Sequence, residues 1–112
     1  MDNIVLLGMF IVTGMLLAGL SIPMILKRIK PNGLYGFRVK QTLENPDIWY
    51  PVNSYSGKWL LATGIFQICA AIMLYFIPAI SLDQYSLAVL GIFVLAFAIG
   101  LVYSIRYMKS LA

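Results

Sequence analysis

The sequence predicts an all-α integral membrane protein: three transmembrane helices with a long cytoplasmic loop containing a short interfacial helix. Three observations carry this. The chain of 112 residues is 62% hydrophobic and only 11% charged, more apolar surface than a soluble domain of this size can hide. Residues 4–26 and 85–105 contain no charge, and residues 59–80 are broken only by Thr63, Gln67 and Pro78. Finally, about 20 apolar residues at 1.5 Å each span a hydrocarbon core of roughly 30 Å, so each run is long enough to cross.

The expected elements form a single membrane domain over 1–112: helix one at about 4–26, a loop at 27–58, helix two at about 59–78 and helix three at about 85–106. Asp2 or Asn3 can cap helix one. The leading residues carry no Lys or Arg and the apolar run exceeds a signal core, so helix one is expected to persist in the mature protein. Pro23 removes a hydrogen bond near its end and predicts a kink in the last turn. Pro78 favours a tight connection between helices two and three, and Ser81-x-x-Gln84 is a capping-box pattern before helix three. Gly14 with Ala18, and Ala96 with Gly100, are small-xxx-small pairs that let backbones approach in lipid. Thr63 and Gln67, four apart in helix two, predict interhelical hydrogen bonding.

Charge sets the orientation. Lys27, Arg28, Lys30, Arg38, Lys40 and Lys58 lie in or beside the first loop and Arg106 and Lys109 near the C-terminus, while the start of the chain and 78–84 have no basic residue. By the positive-inside rule the N-terminus faces out and the loop and C-terminus face the cytoplasm. Trp49, Tyr50, Tyr55, Trp59, Tyr103 and Tyr107 gather at that boundary, as an interfacial aromatic belt does.

Histidine is absent and Cys69 is the single cysteine. The commonest general base is therefore missing, as is any disulfide. No nucleophile stands beside a base and no charge lies within the spans. Neither catalysis nor a cofactor or metal is expected, and nucleic acid is not an expected partner. The lipid bilayer is; a homo-oligomer is open.

The loop holds the specific residues. Pro31-Asn32-Gly33 has turn chemistry, with Asn-Gly tolerating positive φ, and with Gly36 it predicts a compact, non-helical fold over 32–38. Asn45-Pro46-Asp47 is a helix start: Asn as cap, Pro at the first position, Asp at the positive dipole end. Asn45, Trp49, Asn53 and Gly57 recur every four residues, one face of a continuous helix. Pro51 would cost such a helix about 3 kcal/mol. The expectation is therefore a short turn over 46–50, a kink or restart at Pro51, and an amphipathic stretch over 49–57 at headgroup level, with Asn53 and Gly57 turned toward 32–38.

Arg38 can grip phosphate or carboxylate through paired hydrogen bonds, and Asn32, Tyr35, Thr42, Asn45 and Asn53 add neutral polar groups. Together they either line a polar pocket at the mouth of the bundle or tie the irregular loop to the helix ends, since backbone near lipid must find partners. Lys27, Arg28 and Lys30 suit positive-inside insertion and anionic-lipid contact.

The ordered pattern Pro31-Asn32-x-x-Tyr35-Gly36-x-Arg38-x3-Thr42-x2-Asn45-x3-Trp49-x3-Asn53-x3-Gly57-Lys58 resembles the signature of the SdpI/YfhL family of small bacterial membrane proteins. The resemblance implies a bacterial cell-membrane location and immunity to a secreted, membrane-acting peptide toxin, with that peptide as partner. Members with the toxin-immunity and signalling roles are often longer, with additional spans before this unit; this chain is similar to the short, three-helix type. The alternative is a signalling or scaffold protein whose 27–58 loop recruits a cytosolic protein.

Overall fold

The computed structural model describes residues 3–111, which form four helices: α1 (Asn3–Ile25), α2 (Lys40–Glu44), α3 (Pro46–Tyr75) and α4 (Leu82–Leu111). Three of them, α1, α3 and α4, are long and apolar enough to cross a membrane. The N-terminal cap expected from Asp2 or Asn3 falls outside the described side chains.

Helix α1 carries Pro23 within its last turn and closes in a Schellman-like arrangement. The Arg28 amide donates to the Pro23 carbonyl at 2.9 Å and the Lys27 amide to the Met24 carbonyl at 3.1 Å. Lys27 occupies the left-handed position, φ 60°, that glycine usually takes there.

The segment 27–58 is a loop over less of its length than its polarity predicts. Residues 40–44 are helical, and from Pro46 the chain runs in one uninterrupted helix to Tyr75, so helix two starts at 46 rather than 59. No restart occurs at Pro51. The Pro51 ring removes one hydrogen bond from the second turn, but Asp47, whose carbonyl loses its partner, is exposed. Three side chains of that stretch, Trp49, Asn53 and Ser54, bond to backbone outside it or in the turn they anchor. A few tertiary bonds at about 1 kcal/mol each offset one proline. The Asn45-Pro46-Asp47 start is as expected: Asn45 Oδ1 accepts from the Asp47 amide at 3.0 Å.

At the other end α3 stops at Tyr75, short of Pro78, and Ala79 turns through φ 62°. The capping box opens α4: the Gln84 amide donates to Ser81 Oγ at 3.0 Å and the Ser81 amide to Gln84 Oε1 at 3.1 Å. That box starts the helix at Leu82, and it runs on to Leu111 rather than ending near 106. The last turns are held by packing of Met108 and Tyr107 against α3 and the loop.

Helix α3 is the centre; α1 and α4 each pack along it and scarcely touch each other. Gly14 and Gly64 mark the α1–α3 crossing. A Cβ on Gly64 would lie 2.6 Å from the Gly14 carbonyl oxygen and 3.2 Å from the Ala18 amide, so the Gly14/Ala18 pair is a backbone contact surface. Gln67 seals it: its Nε2 donates to the Phe10 carbonyl at 2.8 Å and lies 2.6 Å from Thr13 Oγ1. Thr63, also buried, returns its proton to the Trp59 carbonyl of its own helix. On the α4 side, a Cβ on Gly100 would sit 2.8 Å from Trp59 Cβ. Trp59 stacks on Tyr103 and Tyr55 on Tyr107, with centroids 5.3 and 4.5 Å apart. These aromatics pair α3 with α4. Far from the loop, Tyr85 donates to the Ala71 carbonyl at 2.8 Å and meets Phe10 edge-on.

The molecule is 51 Å long, longer than a hydrocarbon core of roughly 30 Å. At the basic end the first turns of α3, the loop and the end of α4 enclose a small core of Phe37, Ile48, Val52 and Met108.

Candidate functional site: a braced polar cap over an apolar cleft

The cap is built from the loop signature. Asn32 makes the first turn: its Oδ1 accepts from the Leu34 and Tyr35 amides at 2.9 and 2.8 Å, and its Nδ2 donates to the Lys30 carbonyl at 2.8 Å. The positive φ expected near Asn32-Gly33 falls instead on Gly36, at 110°. Only a residue without a Cβ fits there, since a Cβ would lie 2.6 Å from Asn53 Oδ1.

Asn53 is the keystone. It is buried on α3, accepts from the Phe37 amide at 2.6 Å through Oδ1, and donates through Nδ2 to the Trp49 carbonyl at 3.0 Å. Trp49 is fully buried, not part of the interfacial belt, and its Nε1 donates to the Ile29 carbonyl at 2.7 Å. Its indole fills the space beneath Gly36. Thr42, also buried, accepts from the Val39 amide at 3.0 Å; its hydroxyl lies 2.9 Å from both the Phe37 and Val39 carbonyls. Ser54 Oγ donates to the Ile25 carbonyl at 2.8 Å, fastening α3 to the end of α1.

The every-four spacing thus lies along one face of one helix, but its members do different jobs. Asn45 caps, Trp49 and Asn53 hold the loop, and Gly57 meets helix α1. A Cβ on Gly57 would approach Met24 Cβ and Ile25 Cγ1 at 3.0 Å, so it faces the end of α1 and not residues 32–38. The polar groups of Asn32, Thr42, Asn45, Trp49 and Asn53 are spent on backbone groups of the fold. They act as a brace, as irregular backbone near lipid requires.

Asn53→Ala should therefore strand the Phe37 amide in a buried site. A loss of about 1–3 kcal/mol is expected, read as a lower unfolding midpoint in detergent. Asn53→Asp, which keeps an acceptor but points a second oxygen at the Trp49 carbonyl, should not rescue it.

Arg38 and Tyr35 stand apart from the brace. Arg38 is exposed, donates through Nη1 to the Gly33 carbonyl, and pairs with no carboxylate among the described residues. The Tyr35 hydroxyl is buried without a hydrogen-bond partner among the described residues, and burial pushes the phenol above its usual pKa, so it stays protonated. Both residues line a cavity of about 380 Å³ with Gly36 and Phe37. Its other walls are Leu20 and Met24 of α1, Ser56, Trp59 and Leu60 of α3, and Phe97 and Leu101 of α4.

The sequence pointed to Arg38 and Tyr35 through their place in the signature. It gave no signal for the hydrocarbon walls, which come from three helices and look like any lipid-facing residues. Asn32, Thr42, Asn45, Trp49, Asn53 and Gly57 are not among the lining residues. No group of three or more potential metal ligands occurs among the described residues.

The signature geometry agrees with the comparison to known sequences. The sequence model of the SdpI/YfhL protein family matches residues 28–104, well over half of the chain. The chain belongs to the SdpI/YfhL family. The matched region begins just after α1 and takes in the cap, all of α3 and most of α4, so in this SdpI/YfhL protein both the brace and the cleft's floor are family territory. Neither the curated proteins nor the solved structures gave a match.

Proposed function

We propose that the protein confers immunity or resistance to a secreted, membrane-active peptide toxin, acting by binding rather than catalysis and sequestering the peptide within the bilayer. Membership of the SdpI/YfhL family carries this reading. The fold supports it: three helices able to span a membrane leave much of α1 and α4 open to their surroundings, and a braced cap fixes the end where the charges gather. In this reading the protein lies in a bacterial cell membrane. The cap and C-terminus face the cytoplasm, because every basic residue of the chain is at that end.

Expression in a toxin-sensitive strain tests it. Cells carrying the protein should survive peptide concentrations that kill the parent strain, and deletion from a natural host should restore killing. Killing curves that stay superimposed across a panel of membrane-active peptides, the family's toxin included, would remove the proposal.

One observation favours a second reading, a scaffold that recruits a cytosolic protein. Leu34 stands 91% exposed on the cap between Gly33 and Tyr35. Leu34→Ser leaves every brace contact intact and should abolish capture of such a partner; if the same proteins are retained by wild type and variant, recruitment through this surface is excluded.

A further inference from the structure

Helices α1 and α4 both lean on α3, and where they meet, far from the cap, Phe10 rests on Tyr85. Toward the cap a cleft of about 380 Å³ opens between them. Its floor runs along α3 from Ser56 to Thr63, about 10 Å at 1.5 Å per residue. Its side walls are hydrocarbon, and Leu20, Phe97 and Leu101 remain 48%, 46% and 43% exposed, so the cleft opens sideways, toward lipid in a membrane.

One end differs. Arg38 lines the cleft at its cap end, Ser56 is among the residues of its floor, and no carboxylate among the described residues lines the cavity. Arg38 has no ion-pair partner among the described residues. A cleft that is apolar along its depth and singly cationic at its mouth is complementary to an amphiphile with an anionic head. A second transmembrane helix is a poor fit, because a helix with side chains is about 10–12 Å across and this cleft has the volume of a small ligand site. A soluble anion would leave the apolar walls unused.

We propose that this cleft holds the headgroup-proximal part of one acyl chain of an anionic phospholipid, whose phosphate is gripped by Arg38 at the rim. The site is independent of toxin binding: it would be occupied whether or not the protein confers immunity. It also differs from diffuse attraction by Lys27, Arg28 and Lys30, since it selects a single lipid by charge and chain together.

The two tryptophans make the test direct. Trp59 lines the cleft, whereas Trp49 is fully buried in the cap. The purified full chain is reconstituted in phosphatidylcholine vesicles containing 10–20% of either phosphatidylglycerol or phosphatidylcholine with brominated acyl chains, which quench tryptophan on contact. Brominated phosphatidylglycerol should quench the accessible fluorescence at least twofold more than brominated phosphatidylcholine at equal fraction. Arg38→Gln should abolish that preference without changing the helical circular dichroism. Ser56→Leu, which fills the floor and leaves all charges in place, should reduce quenching by the anionic lipid to the level of the neutral one. Equal quenching by the two lipids in the wild type would overturn the proposal, reducing Trp59 to ordinary contact with the bilayer. So would a preference that survives Arg38→Gln, which would assign it to the general basic charge of the cap.

Discussion

Gly64→Ala is expected to separate α1 from α3. The added methyl would sit 2.6 Å from the Gly14 carbonyl oxygen and 3.3 Å from Leu17 Cβ. The first of these is backbone, which cannot rotate away. The helices must part by several tenths of an ångström along their closest approach, and the bonds from Gln67 to Phe10 and Thr13 lengthen with them. Overpacking of this kind costs about 1–3 kcal/mol, and interhelical hydrogen bonds in a membrane add about 0.6 kcal/mol each. Against this stands the helix-propensity gain of alanine over glycine, about 1 kcal/mol at most. The net result should be a clear loss, read as earlier unfolding in mixed detergent micelles. Gly8→Ala and Gly19→Ala provide the contrast, because a Cβ at either meets nothing within 4 Å. Both should leave the midpoint unchanged or raise it slightly. If all three variants unfold alike, the close crossing at Gly64 is not what holds α1 in place.

The second large effect belongs to Gly36→Ala, and it should strike the cap while sparing the bundle. At φ 110° an L side chain is strained by about 1–3 kcal/mol. The new methyl would also collide with Asn53 Oδ1, the acceptor of the Phe37 amide. Moving Asn53 leaves that amide buried and unpaired, at a further cost of about 1–3 kcal/mol. Trypsin should then cut after Arg38 and Lys40 many times faster than in wild type, with the helical circular dichroism almost unaltered. Gly33→Ala, where a Cβ finds open space, should behave as wild type. Equal cleavage of Gly36→Ala and wild type would mean that the loop does not need this conformation.

Much of the fold was legible because it rests on short-range chemistry. The three apolar runs, the Asn45-Pro46-Asp47 start and the Ser81/Gln84 box all follow from a few neighbouring residues, and each is present. Pro51 shows where that reasoning fails. Its local penalty argued for a broken helix, yet the every-four recurrence of Asn45, Trp49, Asn53 and Gly57 described the continuous one that forms. The bonds that outweigh the penalty go to Ile29, Phe37 and Ile25, between 16 and 29 residues away, and no local rule weighs them. Gly14 was readable as half of a close contact, but its partner Gly64 depends on how two helices slide past each other. For the signature, residue types gave the chemistry and the structure gave its target: five polar side chains turned on their own backbone, while Arg38, which donates to the Gly33 carbonyl, also lines the cleft.

Because α1 and α4 each rest on α3, the molecule is two helix pairs that share one member. Damage on the α1 side, as at Gly14, and on the α4 side, as at Gly100, has almost no common contact through which to couple, so the two should add in free energy. Damage to α3 strikes both pairs at once. Tolerance to substitution should therefore be uneven: the flanking helices can drift independently over evolutionary time, while the shared one, carrying Asn53, Gly57, Trp59, Gly64 and Gln67 on its faces, has few directions left in which to change.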